Sequence, residues 1–456
     1  MPFSAKQTKT VSLAYPDWPT QATEGEYFSE TIQYSGNIIG TPDVTEPLGW
    51  PLYYTYPFNR TAKIQSALIR HPNGNIYGFP NRAVNPGDGE NGNILIYDPS
   101  AGPPSSTTVT TSTTALQNVM INNTFTGGVL GGNGNIYLPP GLGPKTYYRD
   151  NMTATSNSNI ILEYDAVNDT HRTISTGLTG NNLFAGGFTD TTGNVFLTPW
   201  DHPGGFTKID CSVEPVTITN NITFGYSKIT NDKKFIAGTA HPNGKCYLYP
   251  SKQVQQFGTG GNIYIPNPAS NIHILEIDPI TETSVEIDTN NFLISANNNV
   301  IINATLCGPD GKIYGIPRGG VIGTRYAGGG DPGDYGTARM LKFDPRTGIT
   351  SNVTGYARES SSGMFAPNGI LIMMPGQVTE EFIFHDVQTD TNISYNPVFD
   401  LSGTWEFTNS NAMACDEANI YVAPGDDNFF GIIPINQLGG TNANAYTLSA
   451  YVQNTN

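Results

Sequence analysis

The stretch HPNGNIYGFP, residues 71–80, decides the fold, because recognisable copies of it recur along the chain. Seven copies begin at residues 71, 131, 190, 241, 308, 366 and 415. Successive copies start between 49 and 67 residues apart, about 57 on average. Self-similarity of this kind indicates one supersecondary unit repeated many times, since chance does not keep such a pattern in register.

Each copy combines a tight turn with a short apolar strand. In Pro-Asn-Gly or Pro-Asp-Gly, the proline holds its own φ at about −65°. The residues after it tolerate positive φ, so the chain reverses its direction. The following residues alternate their side chains between two faces, as a buried strand does. Each copy ends in a proline, which cannot donate to a strand ladder and so marks where pairing stops. These prolines are Pro80, Pro140, Pro199, Pro250, Pro317, Pro375 and Pro424.

Three further segments recur around each turn. An element ending in Asp-Pro or a variant follows it, as in ILIYDPS (from 94) and MLKFDPR (from 340). A Thr- or Val-rich outer strand comes next, as in TTVTT (from 107), TSVEI (from 283) and YTLSAYV (from 446). A strand rich in Gly, Ala and Ser precedes each turn, as in FAGGF (from 184). The repeat therefore predicts four strands.

Small residues in the first strand indicate how the units are arranged. The innermost strand of a radial array is crowded by its equivalents, so Gly, Ala and Ser fit there. We therefore predict an all-β fold, a seven-bladed β-propeller of four-stranded antiparallel blades over 61–456, with an N-terminal extension at 1–60. The repeat length is close to that of kelch blades. The alternative is a β-sandwich or an open β-solenoid in which Asn-Gly turns recur through composition alone.

The pattern PDGKIYGIP followed by LKFDP, within 309–345, resembles repeats in propeller proteins encoded by large DNA viruses, phages and some microbes. It is more distantly similar to streptogramin lyase and gluconolactonase-type propellers, whose repeats carry a DG-x-I/V-aromatic core. The resemblance covers residues 61–456. It implies the fold and names no substrate.

Long connections are expected on one face of this ring. In the usual strand order the Asn-Gly and Asp-Pro turns share a face, and the connections from second to third strand lie opposite. Four of those are long, at 81–93, 141–159, 251–271 and 318–338, and loops beyond about 12 to 15 residues are usually functional or disordered. Aromatic, Arg, Asp and Gln side chains in them are typical of recognition loops, although solvated connections are the alternative. The candidate binding residues are Tyr147, Tyr148, Arg149, Gln255, Phe257, Arg318, Arg325, Tyr326, Asp331, Asp334 and Tyr335.

The segment before the first repeat is rich in aromatic residues and proline. Trp18, Trp50, Tyr53 and Tyr54 would be costly to expose unless the ring or a partner covers them. The arm therefore either closes the ring, for example as an outer strand of the last blade, or anchors the protein to an assembly. The sequence leaves both options open.

Catalytic residues are not indicated. A lactonase-type propeller holds a divalent metal through converging oxygen ligands, but the predicted inner strands contain no Asp or Glu. His71 and His241 occupy equivalent positions in different copies, which predicts two turn residues and no shared site. No triad, nucleophile elbow or phosphate-binding loop is recognisable. We expect no catalytic residue, metal or cofactor; the alternative is a carbohydrate-active or lyase/lactonase-type propeller enzyme.

Charge and cysteine usage restrict the partners. The formal charge of −16 opposes binding to nucleic acid or an anionic membrane, and no segment suggests membrane insertion or a secretory signal. Four scattered cysteines are typical of buried thiols and of assembly inside a cell. The hypothesis is a non-enzymatic virion or surface structural protein, capsid- or tail-associated and assembled in the cytoplasm. Its arm would bind other virion or surface proteins, and its long loops a host-surface receptor or glycan.

Overall fold

The computed structural model describes only part of the chain. The described residues are 27–33, 52–55, 64–80, 93–102, 109–112, 116, 119, 125, 127–140, 159–178, 184–199, 205–225, 235, 238–249, 273–288, 301–318, 340–353, 360–366, 369–375, 382–387, 389–395, 413–416, 419–422, 429–434 and 445–451.

These residues form β-strands, and tight turns join the first and second strands of each sheet. A single turn of 3-10 helix, Pro99–Ala101, begins at the Asp-Pro sequence of the first repeat. In chain order the strands are β1 (Tyr27–Gln33), β2 (Leu52–Thr55), β3 (Ile64–Arg70), β4 (Ile76–Pro80), β5 (Leu95–Tyr97), β6 (Val109–Thr111), β7 (Val129–Leu130), β8 (Ile136–Leu138), β9 (Ile160–Asp165), β10 (Thr170–Ser175), β11 (Phe184–Thr189), β12 (Val195–Pro199), β13 (Phe206–Asp210), β14 (Thr217–Ile222), β15 (Thr239–Ala240), β16 (Cys246–Leu248), β17 (His273–Asp278), β18 (Thr283–Asp288), β19 (Ile301–Cys307), β20 (Ile313–Arg318), β21 (Leu341–Asp344), β22 (Ile349–Asn352), β23 (Ser360–Phe365), β24 (Ile370–Pro375), β25 (Phe382–Asp386), β26 (Thr391–Tyr395), β27 (Met413–Cys415), β28 (Asn419–Val422), β29 (Phe429–Pro434) and β30 (Ala445–Tyr451).

The strands pair into four-stranded antiparallel sheets, which are the blades of a β-propeller. Six blades each use four consecutive strands: blade 1 is β3–β6, blade 2 is β7–β10, blade 3 is β11–β14, blade 4 is β15–β18, blade 5 is β19–β22 and blade 6 is β23–β26. A seventh four-stranded sheet, blade 7, consists of β27, β28 and β29 with β2 at its outer edge. The predicted all-β propeller of four-stranded blades is confirmed.

The outer strand of blade 7 differs from the one expected. The segment YTLSAYV lies in β30 as far as Tyr451, and β30 pairs with β1 from Tyr27↔Tyr451 to Gln33↔Ala445, outside the blade. The edge of β29 is instead occupied by β2, in a register that runs from Leu52↔Ile432 to Thr55↔Phe429. The prediction for YTLSAYV is therefore wrong. A strand edge hydrogen-bonds to one neighbour, and the N-terminal segment already fills that position.

The first strands follow one another around the ring. β7 contacts β11, β11 contacts β15, β15 contacts β19, β19 contacts β23, β23 contacts β27, and β27 contacts β3. The hydrophobic core lies between blades, where buried residues form one cluster for each of the six successive pairs from blades 1 and 2 to blades 6 and 7. Tyr97 of blade 1 and Tyr421 of blade 7 have ring centroids 5.6 Å apart, so these two blades also meet.

Crowding explains the small residues of the first strands. A Cβ on Gly187 would lie 2.6 Å from the Phe196 carbonyl oxygen and 3.0 Å from Val129 of the preceding blade. A Cβ on Gly238 would lie 2.6 Å from the ring of Phe188, again in the preceding blade. Such distances are too short for an added methyl group, so glycine permits the blades to approach one another.

The Asn-Gly turns are stabilised by their own side chains. In blade 1, Asn73 Oδ1 accepts a hydrogen bond from the Asn75 amide at 3.0 Å, and Asn73 Nδ2 donates to the Tyr77 hydroxyl at 2.8 Å. The same Asn-to-Tyr bond recurs at 2.8 Å between Asn133 and Tyr137. Glycine follows in the turn because the backbone needs positive φ, for example +95° at Gly74. The polar residues that make the repeat recognisable thus stabilise the turns.

Candidate functional site

The strand bounds show an asymmetry on one face of the ring. The connections from second to third strand leave from equivalent ends of the blades, and three of them have six residues each: 200–205, 376–381 and 423–428. The other four are much longer: 81–94, 139–159, 249–272 and 319–340. The long connections belong to blades 1, 2, 4 and 5, so two adjacent pairs of blades flank the short connection of blade 3.

The candidate binding residues of these connections lie outside the described residues, with one exception. Arg318 ends β20, where it pairs with Ile301 of β19. Of the four aromatic residues proposed for the N-terminal arm, the structure describes two. Trp18 and Trp50 fall outside the described ranges, whereas Tyr53 and Tyr54 lie in β2, opposite Gly431 and Phe430 of blade 7.

His71 and His241 are positioned by their turns and contact the next blade. The backbone amide of Asn73 donates to His71 Nδ1 at 3.1 Å, so the proton is on Nε2, which donates to the Gly134 carbonyl of blade 2 at 2.7 Å. His241 repeats this arrangement, with Nε2 donating to the Gly311 carbonyl of blade 5 at 3.0 Å. Burial lowers the pKa of His241 and keeps its imidazole neutral. The two histidines are turn residues in separate blades, as predicted.

A cavity of about 370 Å³ opens between blades 2 and 3, on the face of the short turns. Glu163 comes from β9, Arg172 from β10 and Glu214 from the turn after β13. Glu163 is almost completely buried, at 2% exposure, whereas the side chains of Arg172 and Glu214 are 41% and 65% exposed. The residues that line it are all polar or charged: Asn135, Glu163, Asp165, Thr170, His171, Arg172 and Glu214.

Arg172 connects the two glutamates across the blade junction. Its Nε donates to Glu163 Oε2, and its two terminal nitrogens donate to the two carboxylate oxygens of Glu214 at 2.6 and 3.2 Å. These hydrogen bonds, that to Glu163 above all, raise the pKa of Arg172 and keep it charged. The other oxygen of Glu163 accepts from Asn135 Nδ2 at 2.6 Å and from the Tyr137 hydroxyl at 3.1 Å. The buried side chain of Glu163 thus accepts hydrogen bonds from three donors.

Two other ionisable groups of the lining are also perturbed. Burial lowers the pKa of His171, and Asp169 opposes that effect, so the imidazole is neutral near pH 7. Burial by itself would raise the pKa of Asp165, but hydrogen bonds from Asn168 and Val167 outweigh it and lower the pKa. The cavity therefore contains three carboxylates and one guanidinium.

Sequence reasoning missed this cavity, although a signal was present. The third strands of blades 3 and 5 carry a lysine two residues before the turn aspartate, Lys208 and Lys342, and blade 2 carries Glu163 at that position. Blade 4 carries an acid there as well, Glu276, so the charge of this position varies between copies, and that variation was the available signal that the blade junctions differ.

Metal-ligand clusters and membrane-spanning helices are absent from the part of the chain that the structure describes. There, no three His, Cys, Asp or Glu side chains converge so that they could hold a metal ion. No helix among the same residues has the length and apolar character needed to cross a membrane. All four cysteines are free thiols; Cys211, Cys246 and Cys415 are buried and Cys307 is partly buried.

Comparison with known proteins supports the fold and nothing finer. No protein-family model and no curated protein matches the chain. Among solved structures, the chain is similar to a hydrazine synthase from Kuenenia stuttgartiensis, at a TM-score of 0.53 and 11% identity over 83% of this chain and 97% of that one.

Two further solved structures show the same degree of likeness. A GH74 enzyme from Niastella koreensis has a TM-score of 0.52 and 14% identity, covering 84% of this chain and 54% of that one. The extracellular domain of a hybrid two-component system from B. thetaiotaomicron has a TM-score of 0.51 and 11% identity, covering 84% and 39%. At such low identity the likeness shows the β-propeller fold alone, since one fold hosts many functions.

Proposed function

We propose that this protein is a non-enzymatic binding protein of a virion or cell surface, in which the propeller supports four long connections that recognise a host-surface receptor or glycan. The observation that carries the proposal is the contrast between three six-residue connections and four connections of 14 to 24 residues at equivalent places. A symmetric scaffold needs no such difference for its stability. Insertions concentrated on one face are typical of binding sites built on a rigid fold.

The opposite face of the ring, which carries the turns between first and second strands, supports the same proposal. Its turns from first to second strand span three to five residues, and their Asn and His side chains bond within the turn or to the next blade. These polar groups are engaged in holding the ring together. Recognition through the face with variable connections leaves that framework unchanged.

The virion location remains part of the proposal and rests on the resemblance of the repeat to viral and phage propellers. The N-terminal segment upstream of β2 would make the contact with other virion or surface proteins. Electron microscopy of particles from the native source, with an antibody against the propeller, tests the location. Labelled particles support it, and label confined to the soluble fraction contradicts it.

Recognition is tested by shortening one connection at a time. Residues 319–340 are replaced by the six residues 200–205 of blade 3, which span the equivalent positions, and binding to an array of defined glycans and to intact cells is measured. Loss of binding with an unchanged melting temperature supports the proposal. The matched control replaces 376–381 by 200–205, which exchanges one short connection for another. Equal binding by the parent chain and by all four shortened chains would contradict recognition through this face.

A further inference from the structure

Three of the described turns contain an Asn-Gly pair, a dipeptide in which asparagine is chemically labile. The pairs are Asn73-Gly74 in blade 1, Asn133-Gly134 in blade 2 and Asn243-Gly244 in blade 4. Asparagine is a thermolabile residue, and a following glycine leaves its side chain open to attack because glycine has no Cβ. These turns are therefore candidate sites of covalent self-modification.

The modification is deamidation through a cyclic imide. A bond forms between the glycine nitrogen and the asparagine Cγ, the bond from Cγ to Nδ2 breaks, and ammonia leaves with the proton of the glycine amide. Water then opens the imide and gives aspartate or isoaspartate. Water is the only co-reactant. The reaction needs a glycine N–H that is free of other bonds and an asparagine side chain that can rotate toward it.

In the folded ring, both reacting groups are engaged in other bonds. The glycine N–H donates to the carbonyl oxygen three residues earlier, at 2.9 Å for Gly74, 3.0 Å for Gly134 and 2.9 Å for Gly244. The asparagine Nδ2 donates to the hydroxyl of the tyrosine four residues later, at 2.8 Å in all three turns. Its Oδ1 accepts from the amide two residues later, at 3.0 to 3.1 Å. Cyclisation therefore requires the turn to open locally.

A histidine adds one more bond in two of the three turns. His71 Nδ1 accepts from the Asn73 amide, and His241 Nδ1 accepts from the Asn243 amide, each at 3.1 Å. Both imidazoles also donate to the next blade, so opening of either turn disturbs a contact between blades. In blade 2 the equivalent residue is Gly131, which has no side chain to accept such a bond. The asparagine of that turn therefore lacks the bond that a histidine gives the other two.

The turn of blade 5 already contains the hydrolysed side chain. Asp310 stands there in place of the asparagine, and its Oδ1 accepts from the Lys312 amide at 3.2 Å. Its Oδ2 accepts from the Tyr314 hydroxyl and from Lys312 Nζ, each at 2.9 Å. The acceptor of the turn amide and the contact with the tyrosine are both kept. An aspartate at this position is therefore compatible with a folded blade.

We propose that Asn73 and Asn243 are latent deamidation sites, which the hydrogen bonds of the His-x-Asn-Gly turn and its tyrosine keep unreactive until the turn opens at the blade junction. The closed turn engages the glycine N–H and the side-chain amide in separate bonds, and the histidine connects that state to the contact with the next blade. The deamidation rate then measures how often the junctions of blades 1 and 2 and of blades 4 and 5 open. This inference is independent of recognition by the long connections.

The test compares deamidation of the full-length protein when it is folded and when it is unfolded in guanidinium chloride. Both samples are kept in mildly alkaline buffer and digested, and the mass of each Asn-Gly peptide is measured, since replacement of the amide by a carboxyl group changes it. We expect Asn73 and Asn243 to react at least about tenfold more slowly in the folded chain. Equal rates in the folded and unfolded chains would overturn the proposal.

Two single variants exchange the roles of site and control. His241→Ala removes the acceptor of the Asn243 amide and should accelerate deamidation there about tenfold, while Asn73 in the same molecule keeps its rate. His71→Ala should accelerate Asn73 and leave Asn243 unchanged. Equal acceleration of both sites by one variant would mean that global unfolding controls the reaction. That result, or no acceleration by either variant, overturns the proposal.

A third variant applies if a histidine variant does not fold. Tyr247→Phe keeps the aromatic ring in the core and removes the hydroxyl that accepts from Asn243 Nδ2. Asn243 should then deamidate faster than in the parent chain, and Asn73 should keep its rate. An unchanged rate at Asn243 in this variant would contradict the role of the tyrosine bond and overturn the proposal.

Discussion

The imidazole of His71 in blade 1 donates a hydrogen bond to the main-chain carbonyl of Gly134 in blade 2, 63 residues later in the sequence, at 2.7 Å. His241 and Gly311 form the same bond between blades 4 and 5 at 3.0 Å. Between blades 2 and 3, the Gly132 amide donates to the Gly193 carbonyl at 2.8 Å. The carbonyl of the turn glycine thus accepts a bond from the preceding blade at three junctions, which links neighbouring blades outside their apolar cores.

Removal of one of these imidazoles should destabilise the ring. His241→Ala leaves the buried Gly311 carbonyl without its donor and opens a space beside Tyr247, whose ring lies 5.6 Å from the imidazole. We expect a loss of about 1–3 kcal/mol in the free energy of unfolding, measured by urea denaturation. Val285→Ala truncates a 58% exposed side chain and should change that free energy by less than about 0.5 kcal/mol. Similar losses in both variants would contradict a specific role for the imidazole.

Acidification should lower stability through the buried histidines. Burial lowers the pKa of His241 and His385 below the ordinary value of 6.5, so the unfolded chain binds more protons than the folded chain in this range. The part of the unfolding free energy that depends on these neutral imidazoles is fully present above pH 6.5. It is lost as the pH falls through 6.5 toward the lowered pKa. Asp344 and Arg346 act on His241 with opposite signs. Asn392, Asp390 and Asp386 favour protonated His385, and Lys342 opposes it.

Urea denaturation between pH 7.5 and 5 measures this loss. We expect the double variant His241→Gln, His385→Gln to lose less stability over that interval than the parent chain, although it is less stable at pH 7.5. Carboxylates with lowered pKa, such as Asp278 at about 2, lose their contribution only at more acidic pH and do not contribute to this interval. Parallel pH profiles of the two proteins would show that these histidines are not responsible.

The turns that contain Gly132 and Gly193 approach each other closely, so replacing Gly132 should destabilise the protein. A Cβ on Gly132 would lie 2.6 Å from Gly193 Cα in the next blade, where only backbone atoms could move aside. Gly132→Ala should therefore separate blades 2 and 3 locally and cost about 1–3 kcal/mol of unfolding free energy. Gly74→Ala is the matched comparison: Gly74 has φ of +95° but open space around it, so only backbone strain of about 1–2 kcal/mol is expected. A loss below about 1 kcal/mol for Gly132→Ala would contradict the steric argument.

The N-terminal strand of blade 7 should be needed for a stable ring. A chain that begins at residue 51 retains β2, whereas one that begins at residue 58 leaves the edge of β29 unpaired. We expect the shorter chain to lose about 2–4 kcal/mol, since each backbone hydrogen bond contributes about 0.5–1.5 kcal/mol net, and to aggregate through the exposed edge. Thermal unfolding and light scattering measure both effects. Equal behaviour of the two chains would exclude a role of β2 in stability.

The sequence alone determined the repeat, the four-stranded unit and the ring. Turn chemistry and alternation are local properties, because Asn73 and Gly74 shape their own turn whatever surrounds them. Small residues in the first strands indicated the crowded centre, and Gly187 and Gly238 meet side chains of the preceding blade there. Local preference and global arrangement agree in this protein, so the pattern was sufficient to predict the fold.

Only the tertiary structure decided which distant segments meet. Leu52–Thr55 and Ala445–Tyr451 both form strands, and only the folded chain shows that β2 completes blade 7 while β30 pairs with β1. The cavity likewise depends on Glu163 and Glu214, which are 51 positions apart and become neighbours only when blades 2 and 3 pack. Strand propensity and charge are properties of single residues, whereas pairing and charge balance depend on distances that the folded ring creates.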